Sequence, residues 1–160
     1  MSDALLILTI ATALGAGLVA GAFFAFSTFI MAALGRVPAP EGIRAMQEIN
    51  VTVINPWFMT ALFGTGLACV AVAVAALVDW DGSYGPYLLA AAALYVVGCD
   101  GVTMWFNVPR NNALAKQEPE SADAAEIWRR YLVEWTAWNT ARTAASLAAL
   151  GLFIGAIAAG

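Results

Sequence analysis

Two ionisable side chains stand inside long apolar stretches of this sequence, Asp100 and Arg142. A lone charge within a membrane is costly, so such residues mark functional sites or pair with one another. Each lies in a stretch long enough to cross a membrane, 87–107 for Asp100 and 131–159 for Arg142, and both are about 10–12 Å from the same predicted membrane surface. We therefore predict an ion pair or a water-bridged pair. The structural alternative is a pair that only holds two helices together.

The residues that lead to Arg142 combine aromatic, amide and cationic groups on one helix face. At about 100° per residue, a stripe roughly 100° wide contains Trp128, Tyr131, Trp135, Trp138, Asn139 and Arg142. An interfacial belt explains tryptophans that face lipid, but Arg142 must face the interior of a bundle. Flat aromatic walls beside amides and a cation are typical of a ligand pocket.

Asparagines gather at the same end of the predicted protein. Asn107 precedes Pro109, which removes a backbone donor and should end or kink a helix at this point. Asparagines near helix ends are often caps, which is the structural alternative to binding. We assign as candidate ligand-binding residues Asn50, Asn107, Asn111, Trp135, Trp138 and Asn139.

Helices that cross a membrane must position these side chains. The chain has 160 residues, of which 62% are hydrophobic and 11% charged, against about 25% charged in soluble domains. Crossing about 30 Å of hydrocarbon takes roughly 20 helical residues, and four stretches are that long: 5–34, 57–78, 87–107 and 131–159. We predict an all-α fold, a four-transmembrane-helix bundle that forms a single integral membrane domain over 1–160. No cleaved signal peptide is expected, because the first apolar run is too long and lacks a basic start.

Shorter patterns refine this outline. A short amphipathic helix is predicted between spans 1 and 2, because one helical side carries Ile43, Met46, Ile49 and Asn50. Asn55 and Pro56 form a natural N-cap and N1 pair, so the second span should begin there. The helix of the fourth span should be roughly 35 residues long, with Ser121 or Asp123 as its cap.

Charge and rare residues restrict the function. Basic residues occur in the first and third connections and not in the second, so we expect both termini outside a plasma (inner) membrane. The net charge of −4, without a basic patch, argues against nucleic acid. The lack of histidine argues against a metal site of the usual haem, iron, zinc or copper kinds. Cys69 and Cys99 are interpreted as small buried hydrophobes rather than a disulfide or a metal pair.

The expected partners are the lipid bilayer and a hydrophobic small molecule or lipid. Glycines four residues apart allow membrane helices to pack closely within or between subunits, and such pairs occur at 17 and 21 and at 151 and 155. This spacing is compatible with a homo-oligomer.

Five segments carry a family resemblance: GAFFAFSTFIM at 21–31, MQEIN at 46–50, NP at 55–56, NVPRNNAL at 107–114 and WTAWNTART at 135–143. They resemble the anthrone-oxygenase-like family of small four-helix membrane proteins. The resemblance implies oxidation of an anthrone to an anthraquinone by molecular oxygen, with no cofactor. The chain departs from the family pattern at three positions, where proline, an apolar residue and often histidine are usual: Ala32, Arg110 and Thr140.

Cofactor-free oxygenation needs a stabilised carbanion, a base, and a cation or donors that hold the oxyanion. For this chemistry we assign Asp100 and Arg142 as catalytic residues, with Asp100 as the base; an acid at that position is not part of the family signature. Asn107 and Asn139 would be further donors, and the two tryptophans 135 and 138 would be walls. Two hypotheses follow. One is an oxygenase-like enzyme for an aromatic or quinone-like lipophile, and the other is a non-catalytic lipid- or quinone-binding or structural subunit of a membrane complex.

Overall fold

A computed structural model describes all 160 residues as an all-helical chain. Four helices are long and apolar enough to cross a membrane, and they are called the first to fourth spans here: Asp3–Leu34, Pro56–Val78, Gly85–Leu114 and Ala124–Ala159. The short helix Ala39–Thr52 lies between the first and second spans. The predicted four-helix fold is confirmed.

The fourth span is the centre of the bundle, since it packs most extensively against the first and third spans. Small residues permit this closeness: a methyl group at Gly98 would lie 2.6 Å from Ala145 Cβ. The two chain termini meet at one end, where the Met1 amino group lies 3.5 Å from the Gly160 carbonyl oxygen. The opposite end carries the short helix and the longer connections, and we call it the connection end.

The short helix buries the face that its sequence pattern predicts. Ile43 and Met46 are 0% and 1% exposed, and they pack in a cluster that includes Trp128 of the fourth span. Gly42 makes this contact possible, because a methyl group there would lie 2.6 Å from Trp128 Cε2. The helix is therefore fixed against the fourth span.

Substitution of Gly42 by alanine is expected to lower the free energy of unfolding by about 1–3 kcal/mol, because the Trp128 ring must shift in a packed core. Gly21→Ala is the matched control, since nothing lies within 4 Å of the added methyl group. Unfolding in mixed micelles measures both. Equal stability of the two variants would contradict the tight contact between Gly42 and Trp128.

Three of the four spans contain π-helical turns. These are Phe26–Ile30 in the first span, Thr60–Gly64 in the second, and Val96–Gly101 and Thr103–Asn107 in the third. The flanking α-helical segments are Asp3–Ala25, Met31–Leu34, Pro56–Met59, Thr65–Val78, Gly85–Tyr95 and Val108–Leu114. A π turn takes in an extra residue and is frequent at functional sites. It also changes which side chains share a helix face.

The third span continues past the end that the sequence predicts. Its helix runs through Pro109 to Leu114, seven residues beyond the expected end at 107. The π turn directly before the proline widens the backbone, so the ring can be accommodated without breaking the helix.

The helix starts agree only in part with the predicted caps. Asn55 Oδ1 accepts a hydrogen bond of 3.0 Å from the Phe58 amide, which confirms the start of the second span. The fourth helix begins after Asp123 and has 36 residues, close to its predicted length. The predicted side-chain cap is wrong, however: Asp123 makes no capping bond, and Ser121 Oγ is buried without a partner.

Candidate functional site

An aromatic ladder runs along the buried face of the fourth span. Trp128 stacks on Tyr131 at 5.7 Å between ring centroids, and Tyr131 stacks on Trp135 at 6.1 Å. These residues recur every three or four positions, so an unbroken α-helix places them on one side. Asn139 and Arg142 continue the same face, and all five are buried.

Arg142 ends this ladder inside the bundle and is 6% exposed. Its Nε and Nη2 donate to Asn139 Oδ1 at 3.0 and 2.8 Å, and its Nη1 donates to Thr103 Oγ1 at 3.0 Å. The guanidinium carbon lies 3.7 Å from the centre of the Phe23 ring. Three of the five N–H donors of an arginine are thus used, and no carboxylate is among their partners. We call these four residues, Phe23, Thr103, Asn139 and Arg142, the Arg142 cluster.

Asn139 connects the cluster to the first span. Its Nδ2 donates to the Phe23 carbonyl oxygen and to Ser27 Oγ, each at 2.7 Å, and the residue is fully buried. Ser27 and Thr103 both belong to π turns. The cluster therefore joins three spans through hydrogen bonds, and two of them contribute residues from π-helical turns.

A direct ion pair between Asp100 and Arg142, the first form of the predicted contact, is wrong, whereas the water-bridged form stays a prediction. All four ion pairs of the structure lie at the connection end: Arg44–Glu120, Arg110–Glu134, Arg129–Glu126 and Arg130–Glu134. Asp100 instead packs against Gly66 of the second span, where any side chain would collide with its Oδ2. Its Oδ1 is buried without a hydrogen-bond partner. The π turn at 96–101 explains the difference, because the extra residue turns Asp100 away from the face of Thr103, which contacts Arg142 instead.

Three predicted asparagines meet the aromatic ladder. Asn107 Nδ2 donates to the Trp135 carbonyl oxygen at 3.2 Å, and its Oδ1 is buried without a partner. Asn111 Oδ1 accepts from Tyr131 Oη at 2.9 Å and from Trp135 Nε1 at 2.7 Å. Asn50 Nδ2 lies 3.5 Å from Tyr131 Oη. The continued helix beyond Pro109 brings Asn111 to this position, one turn after Asn107.

Trp138 stands apart from the ladder, although the sequence places it in the same stripe. It is partly exposed and stacks on Phe106 of the third span at 3.6 Å, with 13° between the ring planes. Its position at the edge of the stripe turns it toward the neighbouring helix. It does not contact the Arg142 cluster through any aromatic or hydrogen-bonded pair.

Sequence reasoning assigned no role to Phe23, Ser27 or Phe106. Phe23 and Ser27 lie in the segment 21–31 that carries part of the family resemblance, and that was the available signal. The cysteines behave as predicted, since Cys69 and Cys99 are free and buried. No three His, Cys, Asp or Glu side chains are placed to hold a metal ion.

Of four clefts on the surface of the bundle, the two best defined are lined by none of Arg142, Asp100 and Asn107. The smaller has a volume of about 250 Å³ and lies between the first and second spans. Phe58 lines it and packs edge-on against Phe23 at 6.1 Å. Two phenylalanine rings therefore separate this cleft from the guanidinium of Arg142. The larger cleft lies at the connection end.

One comparison with known proteins gives a match. A family model described as "Anthrone oxygenase" matches residues 56–152, more than half of the chain. The matched region includes the second and third spans and the part of the fourth span that carries Trp135, Asn139 and Arg142. No curated protein and no solved structure matches the chain.

Proposed function

Because this chain belongs to the anthrone oxygenase family, we propose that it oxidises a flat, lipophilic aromatic substrate with molecular oxygen at the Arg142 cluster. The observation that carries this proposal is a buried arginine with no carboxylate partner. A cation inside a membrane bundle is expensive, and such residues mark substrate or ion sites by default. An anionic ligand would supply the charge that the protein does not.

The donors of Arg142 suit an aromatic oxyanion. Asn139 and Thr103 hold the guanidinium plane in place, and two N–H groups remain for a ligand. Fixed donors in a water-poor interior stabilise charge that develops during a reaction. Phe23 and Trp135, at 3.7 and 5.3 Å from the guanidinium carbon, would be walls for a flat ring system.

The reaction of an anthrone balances without a further reductant. A base removes one proton from the central methylene carbon, and the resulting carbanion is delocalised onto the carbonyl oxygen as an enolate. Molecular oxygen accepts two electrons and forms a carbon–oxygen bond, giving a hydroperoxide after protonation. Loss of the second methylene proton and of water leaves the new carbonyl group of the anthraquinone. The protein must supply the base and the cation that stabilises the enolate.

Asp100 is our proposed base, and Asp100→Asn is expected to lower the oxidation rate about 100-fold or more, as loss of a general base does. Support comes from Asp100 Oδ1, which is buried without a hydrogen-bond partner and so has free lone pairs. Asp79→Asn is the control, since Asp79 is an exposed acid in the second connection. Initial rates of anthraquinone formation measure both. A normal rate in Asp100→Asn would show that another group is the base, and it would not contradict the role of Arg142.

Access from the lipid is proposed through the smaller cleft. A lipophilic substrate is dissolved in the bilayer, and this cleft opens between two spans. The Phe58 and Phe23 rings that close its inner side are held by packing and not by hydrogen bonds. Rotation of these two side chains would bring a substrate to Arg142.

Oxygen uptake by the purified protein with anthrone as the probe tests the proposal. We expect one O₂ consumed per anthrone, at a rate well above that of the detergent buffer, with anthraquinone absorbance rising in step. A folded protein that gives no acceleration over buffer would contradict the proposed activity.

The alternative is a non-catalytic protein that binds a quinone or lipid or is a subunit of a membrane complex. The observation that favours it is that the residues of the Arg142 cluster are all buried and line neither of the two clefts described above. In that case Arg142 serves to join helices through Asn139 and Thr103. Binding of anthraquinone without any oxygen uptake from anthrone would favour this alternative.

We also propose that both termini face outward from a plasma (inner) membrane. The basic residues of the loops all lie at the connection end, and loops rich in Lys and Arg face the cytoplasm. A phosphatase reporter, active only outside the cytoplasm, is expected to be active when fused after Gly160. An inactive phosphatase at this position, together with fluorescence from a fluorescent protein fused at the same residue in place of the phosphatase, would reverse the orientation.

A further inference from the structure

The larger cleft lies where the third and fourth spans reach the connection end, and it has a volume of about 390 Å³. Pro109, Ala113 and Ile127 give it apolar lining, which we call its floor. Arg110, Arg130 and Glu134 give it charged lining, which we call its rim. Apolar and charged lining in one cleft suits an amphiphilic ligand.

The rim carries more positive than negative charge. Glu134 pairs with two arginines: its Oε2 lies 3.0 Å from Arg110 Nη2, and its Oε1 lies 2.7 Å from Arg130 Nε. One carboxylate therefore serves two guanidiniums, which leaves one unit of positive charge. The Arg130 side chain is 73% exposed, and its bond to Glu134 uses only Nε, so both terminal nitrogens are free to bind an anion.

We propose that this cleft binds the headgroup of an anionic phospholipid, with the phosphate at Arg110 and Arg130. Guanidinium groups match phosphate oxygens in geometry and charge, and basic pockets between membrane helices bind such headgroups. The glycerol and the first acyl carbons then lie over the floor of Pro109, Ala113 and Ile127. The lipid is favoured over a free phosphate ion because this floor is apolar and lies at the end of two membrane spans.

This site is separate from the Arg142 cluster and does not depend on the proposed oxidation. None of Arg110, Ala113 and Arg130 contacts Arg142 through a hydrogen bond or an ion pair. The lipid site can therefore be tested in protein with any level of activity.

Native mass spectrometry of the purified protein with phosphatidylglycerol or phosphatidylcholine is the test. We expect phosphatidylglycerol to be retained at least about fivefold better, the effect of roughly one charge at a membrane surface. Arg130→Gln should remove most of this preference. Arg129→Gln is the matched control, because Arg129 is similarly exposed at 68% but pairs with Glu126 away from the cleft.

A second variant tests the floor without changing charge: Ala113→Trp should fill the cleft and reduce retention of phosphatidylglycerol. Unchanged melting temperatures establish that the variants are folded. Equal retention of the two lipids by the wild type, or an equal loss in Arg129→Gln and Arg130→Gln, would overturn the site. Displacement of the lipid by inorganic phosphate at equal concentration would overturn the choice of a lipid as its ligand.

Discussion

Substitution of Arg142 by methionine is expected to lower the rate of substrate oxidation about 100-fold or more while the protein stays folded. The guanidinium is the one cation of the cluster, and loss of a donor that stabilises a developing oxyanion costs about 100- to 1,000-fold in rate. Methionine keeps much of the volume, and the loss of two hydrogen bonds at the buried Asn139 Oδ1 costs about 1–3 kcal/mol, which is too little to unfold the bundle. The rate of anthraquinone formation should therefore fall strongly, while the unfolding curve of the protein changes little.

Arg129→Met is the control for this substitution, since it removes an exposed arginine from the same helix. It should leave the rate unchanged. Equal rates in Arg142→Met and the wild type would contradict a role of Arg142 in oxidation. A rate loss that tracks unfolding would assign Arg142 to the alternative, a structural role.

Substitution of Asn139 by leucine is expected to give the largest loss of stability. The side chain makes four hydrogen bonds, two to the guanidinium of Arg142 and two to the first span. Leucine keeps the volume but leaves the buried cation with only Thr103 as a hydrogen-bond partner. A buried charge that loses its partner typically costs about 3–5 kcal/mol, and we expect a loss of that order in unfolding free energy in mixed micelles.

Thr140→Val on the same helix is the matched control, because Thr140 is exposed and reaches Ser27 by a single bond outside the cluster. Its expected effect is below about 1 kcal/mol. In addition, the double variant Asn139→Leu with Arg142→Met should lose less unfolding free energy than the two single variants lose together, because residues of one hydrogen-bond network are energetically coupled. Additive losses would show that the two side chains act independently.

The sequence predicted the helices well because lipid leaves few choices. Backbone polar groups in hydrocarbon must find hydrogen-bond partners within the helix, so an apolar run of sufficient length predicts a transmembrane helix. Local chemistry added the start of the second span, where Asn55 caps the helix before Pro56 as expected. The buried face of the short helix, with Ile43 and Met46, followed from the same periodicity.

The π turns could not be predicted from the regular spacing of residues along an α-helix. A spacing of about 100° per residue holds for the unbroken fourth helix and its aromatic ladder. It fails in the third span, where the extra residue at 96–101 separates Asp100 from the face of Thr103. At Pro109, where proline predicted an end or a kink, the helix does not end but continues and brings Asn111 Oδ1 to 2.7 Å from Trp135 Nε1.

Long-range partners were the other part that the sequence could not assign. The residues of the fourth span, Trp135, Asn139 and Arg142, could be placed on one face from their spacing alone. Phe23 and Ser27 meet them across more than 110 positions in the chain, and local pattern carries no information on such a contact. The result is a cluster in which Arg142 is bonded by neutral groups and not by the carboxylate that charge balance suggested.

The central claim is that Arg142, which has no carboxylate partner in the protein, holds an aromatic substrate as its oxyanion. The most direct test is the absorption spectrum of anthrone bound to the purified protein without oxygen, at a pH where free anthrone is neutral. We expect the spectrum of the enolate in the wild type and of neutral anthrone in Arg142→Met. A neutral spectrum for anthrone bound to the wild type would contradict it.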